Sequence, residues 1–112
     1  MEDFRTLLEA KVRGINQDPE KRRKIEKWIN GYRAKVISFR TEAESYHLVF
    51  KKDRVTLRPG NYSSCEFSYI GPHDVLVEIL QGKRSAGPSG IAGTIKGWGS
   101  LNEAQQFERL LV

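Results

Sequence analysis

The fold is indicated by three consecutive segments: HDVLVEILQGK at residues 73–83, GTIKGWG at 93–99 and SLNEAQQFERLLV at 100–112. The first has apolar residues at helical spacing and ends near Gly82, a residue type that commonly terminates helices. The second is typical of a strand interrupted by glycines. The third begins with Ser100-x-x-Glu103, the spacing of a helical capping box. These segments contain many apolar positions and no pattern of catalytic groups, so they favour an apolar enclosure over a chemical site.

Two helices are predicted to open the chain. The first has an apolar stripe at three- and four-residue steps and is expected to end near Gly14. Asp18 and Pro19 predict the start of the second, because Asp accepts a free backbone N–H at the N-cap and Pro at the first helical position has no N–H to leave unpaired. Gly31 is its expected terminator. The two stripes consist of Phe4, Leu7, Leu8, Val12 and Ile15, and of Ile25, Trp28, Ile29 and Tyr32.

From residue 34 the apolar period changes to two, as strands with one buried face require. After a first strand, residues 46–50 and 55–57 each have one apolar face and are joined by a polar turn, which predicts a β-hairpin. A turn at 59–61 leads into a fourth strand at 65–69. Together with the strand at 93–99, the pattern predicts an α+β fold, with a mainly antiparallel sheet of about five strands covered by helices.

The chain has 112 residues, a length that supports one hydrophobic core. Residues 1–112 are therefore expected to form one domain, with a helical segment at 1–32 and the sheet and remaining helices at 33–112. Residues 85–90 (SAGPSG) are flexible by composition and short, which predicts a loop able to move as a lid.

Composition places the chain among ordinary globular proteins. Apolar residues make up 38% and charged residues 29%, and the mean hydropathy of -0.55 argues against an integral membrane protein. No apolar run approaches the roughly 18 residues of a membrane span. The first residues lack the basic-then-apolar layout of a secretory signal, and Cys65 has no second cysteine with which to pair, so a cytoplasmic location is expected.

The net charge of +5 is unevenly distributed, with 15 Lys/Arg against 9 Asp/Glu in residues 1–60 and 4 against 5 in residues 61–112. A basic half attracts nucleic acid or an anionic membrane, or simply forms solvated helix faces. The basic run at 21–24 lies near Trp28, but Glu20 and Glu26 interrupt it and Trp28 falls on the apolar stripe. A solvated helix face is therefore favoured, no nucleic-acid partner is expected, and nucleic-acid binding by the basic N-terminal helices is left as the third alternative function. Transient docking on an anionic bilayer is kept as a hypothesis.

Several motifs, taken in order, resemble the sterol carrier protein family of non-specific lipid-transfer domains. They are YHLVF at 46–50, RVTL at 54–57, Gly60, VLVEILQG at 75–82, GTIK at 93–96 and Gly99-Ser100. Asp18-Pro19 and Trp28 also stand where stand-alone members commonly have similar residues. The resemblance covers about residues 16–112, and its specificity comes from the order and spacing of motifs that are individually common.

This resemblance implies a five-stranded sheet covered by helices, with an apolar tunnel between them that takes fatty acids, acyl chains or sterol-like lipids. It implies no cofactor and no peroxisomal address, since the chain ends in LLV. Gly97 departs from the family, which usually has a β-branched or other apolar residue there, and is expected either to narrow the strand or to let Trp98 and its neighbours approach a ligand closely. The candidate lipid-binding residues are Leu76, Ile79, Leu80, Phe107, Leu110, Leu111, Phe50, Phe67 and Trp98. Taken singly, each residue favours an ordinary core position, and the carrier hypothesis requires that a subset of them faces a cavity. An interaction module with a solid core is the alternative.

Catalytic interpretations are weak, so a non-enzymatic protein is expected. His47 is predicted on the outer face of a strand and His73 at a helix start, while Cys65 is interpreted as a buried structural thiol. These residues fall in separate elements, and their spacing does not match a metal site. The glycines between residues 87 and 99 lack the arrangement of a phosphate-binding loop. The identity of the lipid and the oligomeric state are left open.

Overall fold

The computed structural model describes residues 3–111, without the side chain of Leu111. Its helices are α1 (Phe4–Gln17), α2 (Pro19–Ile29), α3 (His73–Leu80), α4 (Ala86–Ile91) and α5 (Leu101–Leu111). Its strands are β1 (Lys35–Arg40), β2 (Ser45–Phe50), β3 (Val55–Pro59), β4 (Phe67–Ile70) and β5 (Lys96–Gly99).

The sheet has the strand order β3-β2-β1-β4-β5. The predicted hairpin is β2–β3, and every neighbouring pair is antiparallel except β1 and β4, which run parallel. The chain therefore leaves β1 through the hairpin and returns on the other side of β1. The α+β class and the mainly antiparallel sheet predicted from the sequence are confirmed.

One face of the sheet forms the core with the helices. Phe107 of α5 lies over three sheet aromatics, with ring centroids 5.8 Å from Phe39, 5.7 Å from Phe50 and 5.9 Å from Tyr69. Such tilted and edge-to-face pairs are favourable arrangements for buried rings. The terminal helix is thus held against the centre of the sheet by aromatic packing.

The first helix continues past Gly14 to Gln17, so the predicted end at Gly14 is wrong. Contacts beyond Gly14 keep the last turn helical: Ile15 is buried, and the Asn16 side chain forms two hydrogen bonds with the backbone of Val55. The predicted cap of α2 is confirmed, since Asp18 Oδ1 accepts hydrogen bonds from the next two free N–H groups at 3.0 and 3.3 Å.

The second helix ends as predicted before Gly31, which has a left-handed φ of 92°. Asn30 also adopts a left-handed φ of 40° and satisfies the helix end by donating its N–H to Glu26. The chain direction therefore changes before Tyr32. This residue is 65% exposed, and its assignment to the apolar stripe of α2 is wrong.

Residues 85–90 do not form a loop, because α4 begins at Ala86. Gly and Pro are poor helix formers, but Ala86 and Ser89 are buried, and the Ser89 hydroxyl donates to the Ser85 carbonyl at 2.8 Å. Burial on one side therefore overrides the local preference for a loop.

The last strand is shorter than predicted and begins at Lys96. It is followed by a helix that has half of the expected capping box: the Glu103 N–H donates to Ser100 Oγ at 3.3 Å, but the Glu103 carboxylate turns away. It instead pairs with Lys35 Nζ at 2.6 Å and accepts from the Trp28 indole at 3.2 Å. This contact ties α5 to α2 and β1.

Candidate functional site

The predicted lipid wall is assembled where α3 and α5 pack on the sheet. Four of its members, Leu76, Ile79, Leu80 and Phe107, line one small internal cavity together with Phe39. The cavity has a volume of about 10 Å³, at most enough for one water molecule. In the part of the chain described, this cavity is too small for an acyl chain, and the tunnel between sheet and helices stays a prediction.

A much larger apolar groove lies beside this cavity, between α4, β5 and the start of α5. Its volume is about 520 Å³. Ile91 of α4 and Leu101 of α5 form its rim and are 91% and 72% exposed. The residues that line it are Phe67, Tyr69, Ala86, Gly87, Gly90, Ile91, Ile95, Gly97, Leu101, Ala104, Gln105 and Glu108.

Tyr69 and Glu108 belong to the walls of both the cavity and the groove. The Tyr69 hydroxyl donates a hydrogen bond to Glu108 Oε2 at 2.7 Å. Burial of the phenol, and next the hydrogen bond to Glu108, raise the pKa of Tyr69 far above its ordinary value. The hydroxyl therefore stays protonated and remains a donor, and a polar pair separates the groove from the apolar interior.

The other predicted wall residues lie elsewhere. Phe67 lines the groove, whereas Phe50 packs against Trp28 and Phe107 in the core. Leu110 is buried and lines a separate polar groove between α2 and α5. The Leu111 side chain falls outside the described residues.

Trp98 does not lie between the sheet and the helices, where the sequence predicted it. It pairs with Ser68 on the face of the sheet that points away from the helices, is 71% exposed and lies near Tyr62 and Cys65. The expectation that it approaches a ligand between sheet and helices is therefore wrong. Gly97 instead makes room for Phe67, because a Cβ at residue 97 would lie 2.5 Å from Phe67 Cζ.

Tyr69, Glu108 and the residues of α4 were not among the residues predicted from the sequence to bind lipid. A signal for Glu108 was present, since Leu101, Ala104 and Glu108 recur at steps of three and four and share a helix face. A carboxylate on such an apolar face marks a position with a specific polar contact. The α4 residues gave no comparable signal, because their composition is that of a loop.

The groups considered for catalysis are dispersed over the fold. His47 lies on the outer sheet face as predicted, but it is buried, with Nδ1 2.9 Å from the Gly60 carbonyl and its ring stacked on Tyr62. His73 begins α3 as predicted. Cys65 is half-buried rather than fully buried. Within residues 3–111, no three His, Cys, Asp or Glu side chains are grouped closely enough to hold a metal ion.

The aromatic beside the basic run is also not available to a nucleic acid. Trp28 is buried, packs edge-on against Phe50 with centroids 5.1 Å apart, and has Lys35 Nζ 5.2 Å from its ring. Its position confirms that it belongs to the apolar stripe.

The sequence matches the SCP-2 sterol transfer family over residues 8–112. The chain belongs to this family. Among curated proteins, no sequence matches it.

Solved structures of the SCP-2 fold superpose on the chain. Sterol carrier protein 2 from Yarrowia lipolytica in its apo form has a TM-score of 0.68 and 23% identity, over 92% of this chain and 84% of that protein. Palmitated SCP2L2 from Aedes aegypti has a TM-score of 0.60 and 11% identity, over 98% and 95%. At these identities the similarity shows a shared fold.

The same fold occurs inside a larger enzyme. The stereoselective inverting sec-alkylsulfatase Pisa1 from Pseudomonas sp. matches with a TM-score of 0.67 and 17% identity over 80% of this chain, which corresponds to 14% of the sulfatase. This fold thus occurs both in stand-alone proteins of similar length and as a small part of an enzyme. In this chain, no helix of residues 3–111 is long and apolar enough to cross a membrane.

Proposed function

We propose that this protein binds one aliphatic lipid, such as a fatty acid or another acyl chain, between its sheet and helices, and that it acts in the cytoplasm as a carrier without catalysing a reaction. The observation that carries the proposal is the apolar groove, which meets the wall of Leu76, Ile79, Leu80 and Phe107 at Tyr69 and Glu108. Membership of the SCP-2 family and the palmitated Aedes aegypti structure support an acyl ligand.

Burial of the aliphatic chain supplies the affinity. Each buried methylene contributes roughly 0.8 kcal/mol, so about ten methylenes supply on the order of 8 kcal/mol before the costs of association. Affinity in the micromolar range then requires a dry apolar site and no specific chemistry.

The lipid enters at the groove, and the internal cavity is the space that enlarges to hold its chain. A cavity of about 10 Å³ does not hold an acyl chain, so α3 and α5 must separate from the sheet as the chain enters. In the groove wall, α4 contributes the small residues Ala86, Gly87 and Gly90. These leave α4 free to shift without breaking large side-chain contacts.

Native mass spectrometry of gently purified protein tests the proposal. A co-purifying lipid is expected to appear as a discrete added mass, and Leu80→Glu is expected to abolish lipid uptake because it places a charge in the wall. Tyr32→Glu is the matched control, since Tyr32 is exposed and lies outside the groove. Uptake at normal affinity by a folded Leu80→Glu variant would show that Leu80 does not contact the lipid. Absence of both bound lipid and lipid uptake in the unaltered protein would favour the solid-core interaction module.

The basic half of the chain supports a second step, docking on an anionic bilayer during lipid exchange. The basic residues of α2 are exposed apart from Lys21, which is half-buried, and each adds about 1 kcal/mol of attraction near such a surface. Uptake from vesicles that contain phosphatidylserine is expected to exceed uptake from neutral vesicles and to weaken as salt rises. Lipid uptake that does not depend on vesicle charge or ionic strength would contradict this step.

A further inference from the structure

The pair formed by Tyr69 and Glu108 is the polar element in an otherwise mainly apolar path. Phe39, Leu76, Ile79, Leu80 and Phe107 complete the cavity on one side of it. On the other side, the groove wall consists mostly of apolar and glycine residues, and its further polar side chain is that of Gln105. A lipid that enters through the groove therefore passes this pair, and its polar head comes to rest beside it.

Among residues 3–111, no Lys, Arg or His nitrogen lies within ion-pair distance of the Glu108 carboxylate. The neighbouring Arg109 lines the groove between α2 and α5 on another side of the helix. A half-buried carboxylate in an apolar wall is stabilised chiefly by hydrogen bonds from donors.

The pair can still accept a hydrogen bond from a ligand, but it has little capacity to donate one. The Tyr69 proton is committed to Oε2 at 2.7 Å, so the second oxygen of Glu108 can accept a bond from a ligand. A hydroxyl, amide or ammonium head supplies such a proton. An ionised fatty acid supplies none, and its carboxylate meets the like charge of Glu108 in a mainly apolar groove.

We infer that the pair Tyr69–Glu108 makes this site selective for lipids whose head donates a hydrogen bond, such as long-chain alcohols, over ionised fatty acids. The inference rests on the proposed function and narrows it. Glu108 is then the residue that sets specificity, while the apolar wall sets affinity for the chain.

The test compares dodecanol and dodecanoate, which have the same chain length, in displacing a neutral fluorescent probe at about pH 8, where the acid is ionised. The unaltered protein is expected to bind dodecanol about 10- to 100-fold more tightly, the range for one hydrogen bond to a charged group. Glu108→Gln keeps an oxygen that accepts from Tyr69 but removes the charge. It is expected to bind dodecanoate more tightly than the unaltered protein and to bring the ratio to within about threefold.

Two further variants separate specificity from structure. Glu9→Gln makes the same change of charge on α1, where Glu9 pairs with Arg5 at the surface, and is expected to leave the ratio unchanged. Tyr69→Phe removes the donor but keeps the charge, so it should retain the preference for the alcohol even if its stability falls. If the role of Glu108 were purely structural, Glu108→Gln would change the affinities for dodecanol and dodecanoate by the same factor.

The outcomes distinguish the inference from the proposed function. If both lipids bind the unaltered protein equally, or if Glu108→Gln leaves the ratio unchanged, the inference is overturned while the carrier function stands. If neither lipid binds the unaltered protein or Glu108→Gln, both are overturned. A ratio that collapses in Glu108→Gln alone supports the inference.

Discussion

Two glycines show how local surroundings decide the role of a residue. A Cβ at Gly97 would lie 2.5 Å from Phe67 Cζ, whereas a Cβ at Gly14 would have no neighbour within 4 Å. Gly97 therefore leaves room for a ring in the groove wall. Gly14 lies inside the continuous helix α1, which the contacts of neighbouring residues hold in place.

Opposite effects are expected from substituting these glycines. Gly97→Val should push the Phe67 ring into the groove, lower stability by about 1–3 kcal/mol and weaken probe binding. Gly14→Ala should raise stability by about 0.5–1 kcal/mol through helix propensity and leave probe binding unchanged. Chemical denaturation and probe displacement measure both effects. Undiminished probe binding by Gly97→Val would show that the ring does not shape the groove.

The buried Lys35 is a second residue whose role depends on its partner. It is 6% exposed, pairs with Glu103 at 2.6 Å and lies 5.2 and 5.1 Å from the ring centres of Trp28 and Tyr32. A buried ion pair costs desolvation, so its loss is most harmful when one partner remains charged.

Removing one partner of this pair should therefore cost more than removing both. We expect Lys35→Met to lower the free energy of unfolding by about 2–4 kcal/mol, and the double variant Lys35→Met with Glu103→Leu to recover a substantial part of that loss. Urea denaturation of the two variants measures the difference. Equal losses would mean that the contact is dominated by packing of the lysine stem.

At the scale of elements, α4 is where sequence and structure differ most. A segment of Gly, Pro and Ser predicts a loop, and the burial that makes it helical comes from residues distant in sequence. The strands and the helices α1 to α3 were predictable because their apolar periods are local properties. The end of α1 was not, since it depends on the contact between Asn16 and Val55.

The orientation of Trp98 could likewise not be predicted from the sequence. An isolated edge strand does not reveal which face is buried until its register with a neighbour is known. In β5 the inward positions are Gly97 and Gly99, opposite Tyr69 and Phe67. The apolar residue between them consequently points outward, although it suggested an inward wall.

Stiffening α4 should slow entry of the ligand. Positions 87 and 90 have open space around a Cβ, so Gly87→Ala with Gly90→Ala should stabilise the helix by about 1 kcal/mol per site at most. We expect slower amide hydrogen exchange in α4 and a lower association rate constant for a fluorescent fatty acid, measured by stopped flow. Gly14→Ala is the control, because it stabilises a helix remote from the groove. An unchanged rate would exclude α4 as the entry lid.

For the whole molecule, the family and fold could be predicted from the order of the motifs, but the state of the interior could not. Hydrophobic positions are the same whether they face each other or a cavity, and packing alone decides between them. The structure shows a nearly filled interior beside an open groove. We therefore expect the proposed carrier to hold its lipid by opening a packed wall, with the groove as the part of the site that is present without ligand.

The central claim is that an aliphatic chain passes the pair Tyr69–Glu108 and lies between α3, α5 and the sheet. Isotope-filtered nuclear Overhauser spectroscopy of the labelled protein with dodecanol tests it most directly. Contacts from the lipid methylenes to Leu76, Leu80 and Phe107 are expected. Contacts confined to the exposed rim residues Ile91 and Leu101, with no change at the interior side chains, would contradict it.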